Sequence, residues 1–361
     1  MATPVPSKGP PSPPQKAGPP SPQKSAAPPS KKLPSKLGLL KRTRLVAAGF
    51  RFVIYGPEGV GKTSLAADAD SVSIDIEQSS KFLSTRRYPF HPGEPDEYQP
   101  RTYEEVCSAV DDIAENPDPS IASVTIDTGD ALEALIHGHL CKKNSVSSIE
   151  KVGGGFNKGY RAAVEVLREF QSKLDRLCAI GIHVILICHS QTTTFKDPEG
   201  EDYNRYTLKV HSSDKVSFAG QLKEWADVVG FLHFEGGSKK ADEDKRAIGW
   251  TTNRRLLELQ RSAAWDAKWR LLTPMPETIE IGVERPWAQI AEAILRERDA
   301  RPLGDRIVAE LDRIAAEEFT TAAGTATTRA TVLALLPTAD NATLSRVLNG
   351  LAATTAPSKE S

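Results

Sequence analysis

No stretch of the 361 residues approaches the roughly 18 to 20 uncharged apolar positions of a membrane-crossing helix, so a spanning protein is not expected. The N-terminal region contains no apolar segment of the kind a secretory signal needs. Cysteine is scarce. Cys107, Cys141, Cys178 and Cys188 are scattered without a CxxC pair, which excludes a disulfide framework and fits a reducing cytoplasm. Acidic residues are missing from the first 57 positions, which hold ten Lys or Arg. The remainder carries 36 basic against 47 acidic residues, a net −11. A body this acidic is not a general polyanion binder, because non-specific nucleic-acid affinity comes from Lys and Arg neutralising phosphates. Any such contact must use local loops or the basic tail, which otherwise reads as a solubilising linker.

With 39 % hydrophobic residues the chain can still bury a sizeable core. Residues 1–36 contain 12 of the 26 prolines and almost no large apolar side chains, so a disordered tail is expected over 1–44. From residue 45 the texture changes. FRFVIY (Phe50–Tyr55), VSIDI (Val72–Ile76), SVTID (Ser123–Asp127), HVILICH (His183–His189) and VVGFLHF (Val228–Phe234) read as strands. The first four are nearly continuous in apolar character, as strands covered on both faces are. Helical periodicity lies between them, at Tyr103–Glu115 and Tyr160–Cys178. The alternation predicts an α/β core over 45–285 with a mainly parallel sheet flanked by helices. RAIGWTT (Arg246–Thr252) and RLLELQ (Arg255–Gln260), joined by Asn253-Arg254, predict a hairpin on the sheet edge. Residues 286–361 predict a small helical appendage, with helices at Trp287–Arg298, Leu303–Glu317, Thr328–Leu335 and Ala342–Leu351.

The chemistry concentrates in Gly56-Pro57-Glu58-Gly59-Val60-Gly61-Lys62-Thr63-Ser64, a full GxxxxGK[ST] between an apolar strand and a helix. Backbone N–H groups of such a loop wrap a β-phosphate, and the helix start adds partial positive charge. Lys62 then reaches the β/γ-phosphates of ATP, and the Thr63 hydroxyl is a Mg²⁺ ligand. Asp127, ending the third strand, is placed to hold the same Mg²⁺. Glu77, just after the second strand, could polarise an attacking water, with Asp75 as competitor for that role. His189 and Gln191 end the fourth strand, where a polar group could sense the γ-phosphate or simply be a satisfied rim residue. His137-x-His139-x-Cys141 looks like a metal run, but residues two apart on a helix face different ways, so zinc is not expected.

The order GPEGVGKTS, IDIEQ, VTIDT, ILICHSQ resembles the RecA-type core. SIEKVGGGFNKGY, DPEGEDYNRYTLKVH, LKEWADVV and AWDAKWR make the chain, over about residues 48–285, similar to phage-encoded RecA-like ATP-binding proteins. These are AAA/RecA-type ATPases associated with single-strand annealing and recombination. The resemblance implies a RecA-like P-loop NTPase fold and ATP hydrolysis with Mg²⁺. Glu77 would act on water, Thr63 and Asp127 on the metal, and His189 or Gln191 on the γ-phosphate. It also implies two segments facing single-stranded DNA. The first carries Lys151, Phe156, Lys158 and Tyr160; the second, Phe195–Lys209, carries Lys196, Tyr203, Arg205, Tyr206 and Lys209. Both combine cations for phosphate with aromatics on which bases can stack, in loops expected to be mobile.

Lys268 and Arg270 match cations that such ATPases place in a neighbouring subunit's nucleotide site, which implies a homo-oligomer. The implied setting is a phage protein in the host cytoplasm, acting in recombination, repair or replication. A single-strand-binding or replication protein is then a candidate partner, and no membrane is involved. Two other readings fit the same core: a nucleotide-switched loader or scaffold acting on a protein, and a P-loop phosphotransferase.

Overall fold

The strands at the middle of the sheet are largely apolar where helices cover both of their faces. In the computed structural model, residues 49–94, 97–239, 248–271, 275–299, 303–314, 318–321, 326–336, 341–352 and 354 are described. The expectations placed on the 1–44 tail, on Arg246 and Ala247, and on 315–317 lie outside them. The strands are β1 (Arg51–Gly56), β2 (Ser71–Asp75), β3 (Arg86–Arg87), β4 (Ser123–Asp127), β5 (His183–Phe195), β6 (Tyr203–Leu208), β7 (Val228–Lys239), β8 (Ile248–Glu258), β9 (Lys268–Trp269) and β10 (Thr278–Glu280). They join in one sheet of order β10-β8-β7-β1-β5-β4-β2-β3, with β6 on β5 and β9 on β7. From β7 through β1, β5, β4 and β2 to β3 the pairing is parallel. The remaining pairs are antiparallel.

Strand alternation divides β1 between two cores. Val53 and Tyr55 face α2 (Tyr103–Glu115), α3 (Gly129–Lys143), α4 (Lys158–Ala179) and α5 (Phe218–Trp225), packing in one cluster with Val110, Ile136, Leu167, Phe170 and Leu222. Phe52 and Ile54 face the other way, toward Leu65 of α1 (Lys62–Ala67) and Ile290 of α6 (Ala288–Asp299), with Trp287 edge-on to Phe52. The result is a three-layer helix–sheet–helix core, with the carboxyl ends of β1, β2, β4 and β5 along one edge. Farther on, α7 (Leu303–Ile314), α8 (Arg329–Leu335) and α9 (Asn341–Ala352) share a separate small core built on Ile307, Leu311, Leu344 and Leu348. A short hairpin of β11 (Glu318–Thr320) and β12 (Ala326–Thr328) accompanies them. Among the described residues no helix is long and apolar enough to cross a membrane.

Two sequence expectations need correction. Asn253-Arg254 is not a turn, and β8 runs straight through it, paired with β7. The register passes from Phe234↔Arg255 to Gly236↔Thr251, so three residues of β8 oppose one of β7. The polar pair marks a bulge rather than a reversal. The segment Phe195–Lys209 is likewise no mobile loop throughout. β5 continues past His189 to Phe195 and pairs with β6, from Ser190↔Leu208 to Phe195↔Tyr203. The SQTTTF run is polar and so carries no buried-strand signature, yet its threonines suit a β-ribbon.

α3 points one carboxylate inward. Glu133 is buried, accepts from the His211 backbone N–H at 3.1 and 3.0 Å, and is pushed up to about 7 by burial. Asp130 adds to the rise, the His211 N–H opposes it, and His137 stands 3.9 Å away. A carboxyl raised above its unfolded value stabilises the fold fully below about pH 4.5, and that contribution is lost as pH rises through about 7. Glu133→Gln removes the titration. It is expected to be more stable than wild type by about 1–3 kcal/mol at pH 8. At pH 4.5 that advantage should vanish, as read from urea midpoints at the two pH values. Equal midpoint differences at both would refute this account.

Candidate nucleotide site

β1 delivers the chain into the glycine loop at Gly56, where a Cβ would lie 1.9 Å from the Leu232 carbonyl oxygen of β7. Only glycine lets the two backbones pass so closely. The loop closes at Gly61, whose φ of +95° suits glycine and leads directly into α1. Lys62 follows, buried, with Nζ donating to the Gly56 and Pro57 carbonyls at 3.1 and 2.8 Å. Burial lowers its pKa, against the pull of Asp127 and Asp130. The ammonium is thus held inside the curl of the loop, where phosphate oxygens would replace the carbonyls.

Asp127 and Asp75 end neighbouring parallel strands in register. Asp127 Oδ2 accepts from Thr63 Oγ1 at 2.8 Å and from Ser79 Oγ at 2.7 Å. Its other oxygen, Oδ1, is buried and has no hydrogen-bond partner. Burial pushes the carboxyl up to about 6, with Asp75 and Glu77 adding to the rise. An orphaned, desolvated carboxylate oxygen beside a threonine hydroxyl suits a hard divalent cation, which would supply the missing partner and the counter-charge. Thr63 and Asp127 are the residues that would hold Mg²⁺, and a bound Mg²⁺ would neutralise charge on the β- and γ-phosphates.

Asp75 and Glu77, rivals in the sequence, are separated by their surroundings. Asp75 is buried and fully engaged: Oδ1 accepts from the Ser79 N–H at 3.0 Å, and Oδ2 from the Ser80 N–H and hydroxyl at 2.9 and 2.5 Å. It builds the turn after β2. Glu77 is exposed and accepts one hydrogen bond, from Thr128 Oγ1 at 2.8 Å. His189 Nδ1 lies 2.9 Å from Asp130 Oδ2 and 3.9 Å from Glu77 Oε1. The His189 backbone N–H also donates to Asp130 Oδ1 at 3.0 Å. Gln191 is drawn elsewhere, donating to the Leu208 carbonyl within the β5–β6 ribbon at 3.2 Å.

The structure therefore brings Lys62, Thr63, Asp127, Glu77 and His189 to one edge of the sheet. Sequence reasoning missed Ser79, Thr128 and Asp130, which hold Asp127, Glu77 and His189 in place. Each is a small polar residue just beyond a strand end, the only signal available.

The remaining candidates lie apart. Lys268 and Arg270 sit beside the amino-terminal end of β7, away from the glycine loop, and both reach carbonyls at the end of α5. Burial and then Arg270 press the Lys268 ammonium down to about 8. Lys151 donates to Ser147, and Phe156 is 93 % exposed after three glycines of positive φ. Lys158 and Tyr160 stand on the first turn of α4, not in a loop. Tyr160 is stacked 3.8 Å from the His211 ring. In the second segment Lys196 pairs with Asp202, Tyr203 packs on Phe195, and Tyr206 stacks on Phe231. Lys209 is exposed. Arg205 was expected to face DNA, but it is buried, paired with Asp266 at 2.6 Å and lying over Phe195. A guanidinium committed to an internal carboxylate has no charge left for a phosphate.

No curated protein matches the chain. Among solved structures, that titled "Crystal structure of the RadB recombinase" is similar at 13 % identity, with 67 % of this chain and 90 % of that one covered and a TM-score of 0.31. The family profile described as "AAA domain" matches residues 48–271, more than half of the sequence and the whole of the site just described. The chain belongs to the AAA domain family.

Proposed function

We propose that this protein binds and hydrolyses ATP with Mg²⁺, and that it works on single-stranded DNA as a homo-oligomer in phage-type recombination, repair or replication. The observation that carries the hydrolytic part is the grouping of buried Lys62, the Thr63–Asp127 pair with its orphaned oxygen, and solvent-facing Glu77. Lys62 and the loop N–H groups bind the β/γ-phosphates. Glu77, oriented by Thr128, takes a proton from the attacking water, and His189, oriented by Asp130, lies next to it to respond to the γ-phosphate.

The DNA part rests on Phe156, Lys151 and Lys158, which put an exposed aromatic between two cations on a glycine-shaped turn. Lys196, Tyr203, Tyr206 and Lys209 extend that surface along the β5–β6 ribbon, without Arg205. Lys268 and Arg270 lie too far from this chain's own loop to serve it, which supports a role at a neighbour's nucleotide in an oligomer.

The test is steady-state ATP hydrolysis with Mg²⁺, with and without single-stranded DNA, at low and moderate salt. DNA should stimulate turnover about tenfold or more, the effect should weaken with salt, and the Phe156→Ala/Lys158→Ala variant should lose it while keeping basal turnover. Turnover indifferent to DNA, together with no DNA binding at low salt, would overturn the DNA reading in favour of a switch acting on a protein or of a phosphotransferase.

A further inference from the structure

β8 carries two arginines in succession, and strand alternation sends them to opposite faces. Arg254 is neutralised twice over, 3.0 Å from Glu235 and 2.8 Å from Glu280. Arg255 has no carboxylate partner among the described residues. Its Nη2 donates to the Gly282 carbonyl, which fixes the plane of the guanidinium. Its Nη1 rests against the glycine loop, where a Cβ built on Gly61 would lie 2.4 Å from it. An unpaired, partly buried cation is costly unless an anion completes it. Here the loop it touches is itself built to receive one.

Resting on the reading of Gly56–Thr63 as a nucleotide loop, we propose that Arg255 is a nucleotide-binding residue in cis, supplying a guanidinium to the diphosphate next to Gly61. The sheet order says which phosphates it meets. Asp127 on β4 and Glu77 after β2 lie to one side of β1, whereas β8 lies beyond β7 on the other. Arg255 approaches from the side away from the hydrolytic group, so it contacts phosphates that ADP and ATP share and not the γ-phosphate. That distinguishes it from Lys268 and Arg270, and from a charge that acts only in the transition state.

The experiment compares wild type, Arg255→Gln and Arg255→Lys by titration calorimetry with Mg·ADP and Mg·ATP. Gln removes the charge while staying polar, and Lys keeps the charge without the fork. The expected result is a loss of about 10- to 100-fold in affinity for both nucleotides in Arg255→Gln. Lys should recover part of it. Independently of any variant, Mg·ADP should protect Arg255 but not Arg254 from phenylglyoxal, read by peptide mass spectrometry on the wild-type chain. Unchanged ADP affinity in Arg255→Gln, a loss confined to ATP, or no protection of Arg255 would each overturn the assignment. Wild type that binds neither nucleotide would bring down the loop reading as well.

Discussion

Lys62→Ala is expected to weaken the binding of both ATP and ADP by about a hundredfold or more and to bring hydrolysis to background. The Nζ group sits inside the loop on two carbonyls, where the β/γ-phosphates would replace them. A charge-assisted contact to phosphate in a partly desolvated cradle contributes about 2–3 kcal/mol, enough for that loss. The fold should not suffer. Burial lowers the Lys62 pKa, so the charged ammonium destabilises the folded chain, and replacing it removes that cost. Melting without nucleotide should therefore stay level or rise, while the shift produced by Mg·ADP disappears. Retained affinity with intact melting would mean that phosphate is not bound at this loop.

The core and the loop were legible in the sequence because their signals are local. In β5 the segment Val184–Cys188 is buried on both faces, so its apolar run is unbroken and its end is marked by the polar His189 that follows. The glycine loop announces itself through backbone needs that only glycine meets at Gly56 and Gly61. What could not be read were properties that depend on distant partners. Arg205 and Asp266 lie 61 positions apart, and nothing local shows that one cancels the other's charge. The β5–β6 ribbon is polar on both strands, so its pairing leaves no hydrophobic alternation to read. Asp75 and Glu77 share a face of the same strand end, and spacing alone cannot rank them. Their ranking comes from Ser79 and Ser80, whose N–H groups occupy one and not the other. Arg255 was passed over for a related reason: in sequence it is one of two adjacent arginines, and only the carboxylates around Arg254 show which is already paired.

That ranking gives the second large effect. Glu77→Gln is expected to cut ATP turnover by about a hundred- to ten-thousandfold while ATP affinity stays within a few fold. The amide oxygen of Gln still accepts from Thr128 Oγ1, so the side chain keeps its place, and what is lost is the ability to take a proton from water. Because Glu77 is exposed and makes one side-chain hydrogen bond, the melting temperature should hardly move. Asp75→Asn should behave in the opposite way. Its carboxylate accepts four hydrogen bonds at the turn after β2, and an amide presents a donor where some of those donors already point. The expected cost is about 1–3 kcal/mol of stability, with turnover per folded molecule largely kept. Measuring the two variants side by side separates proton transfer from scaffolding, since each should change the quantity the other spares. If Glu77→Gln turned over like wild type and Asp75→Asn did not, the proton acceptor would be Asp75, and the serine-built turn around it would be part of the catalytic apparatus.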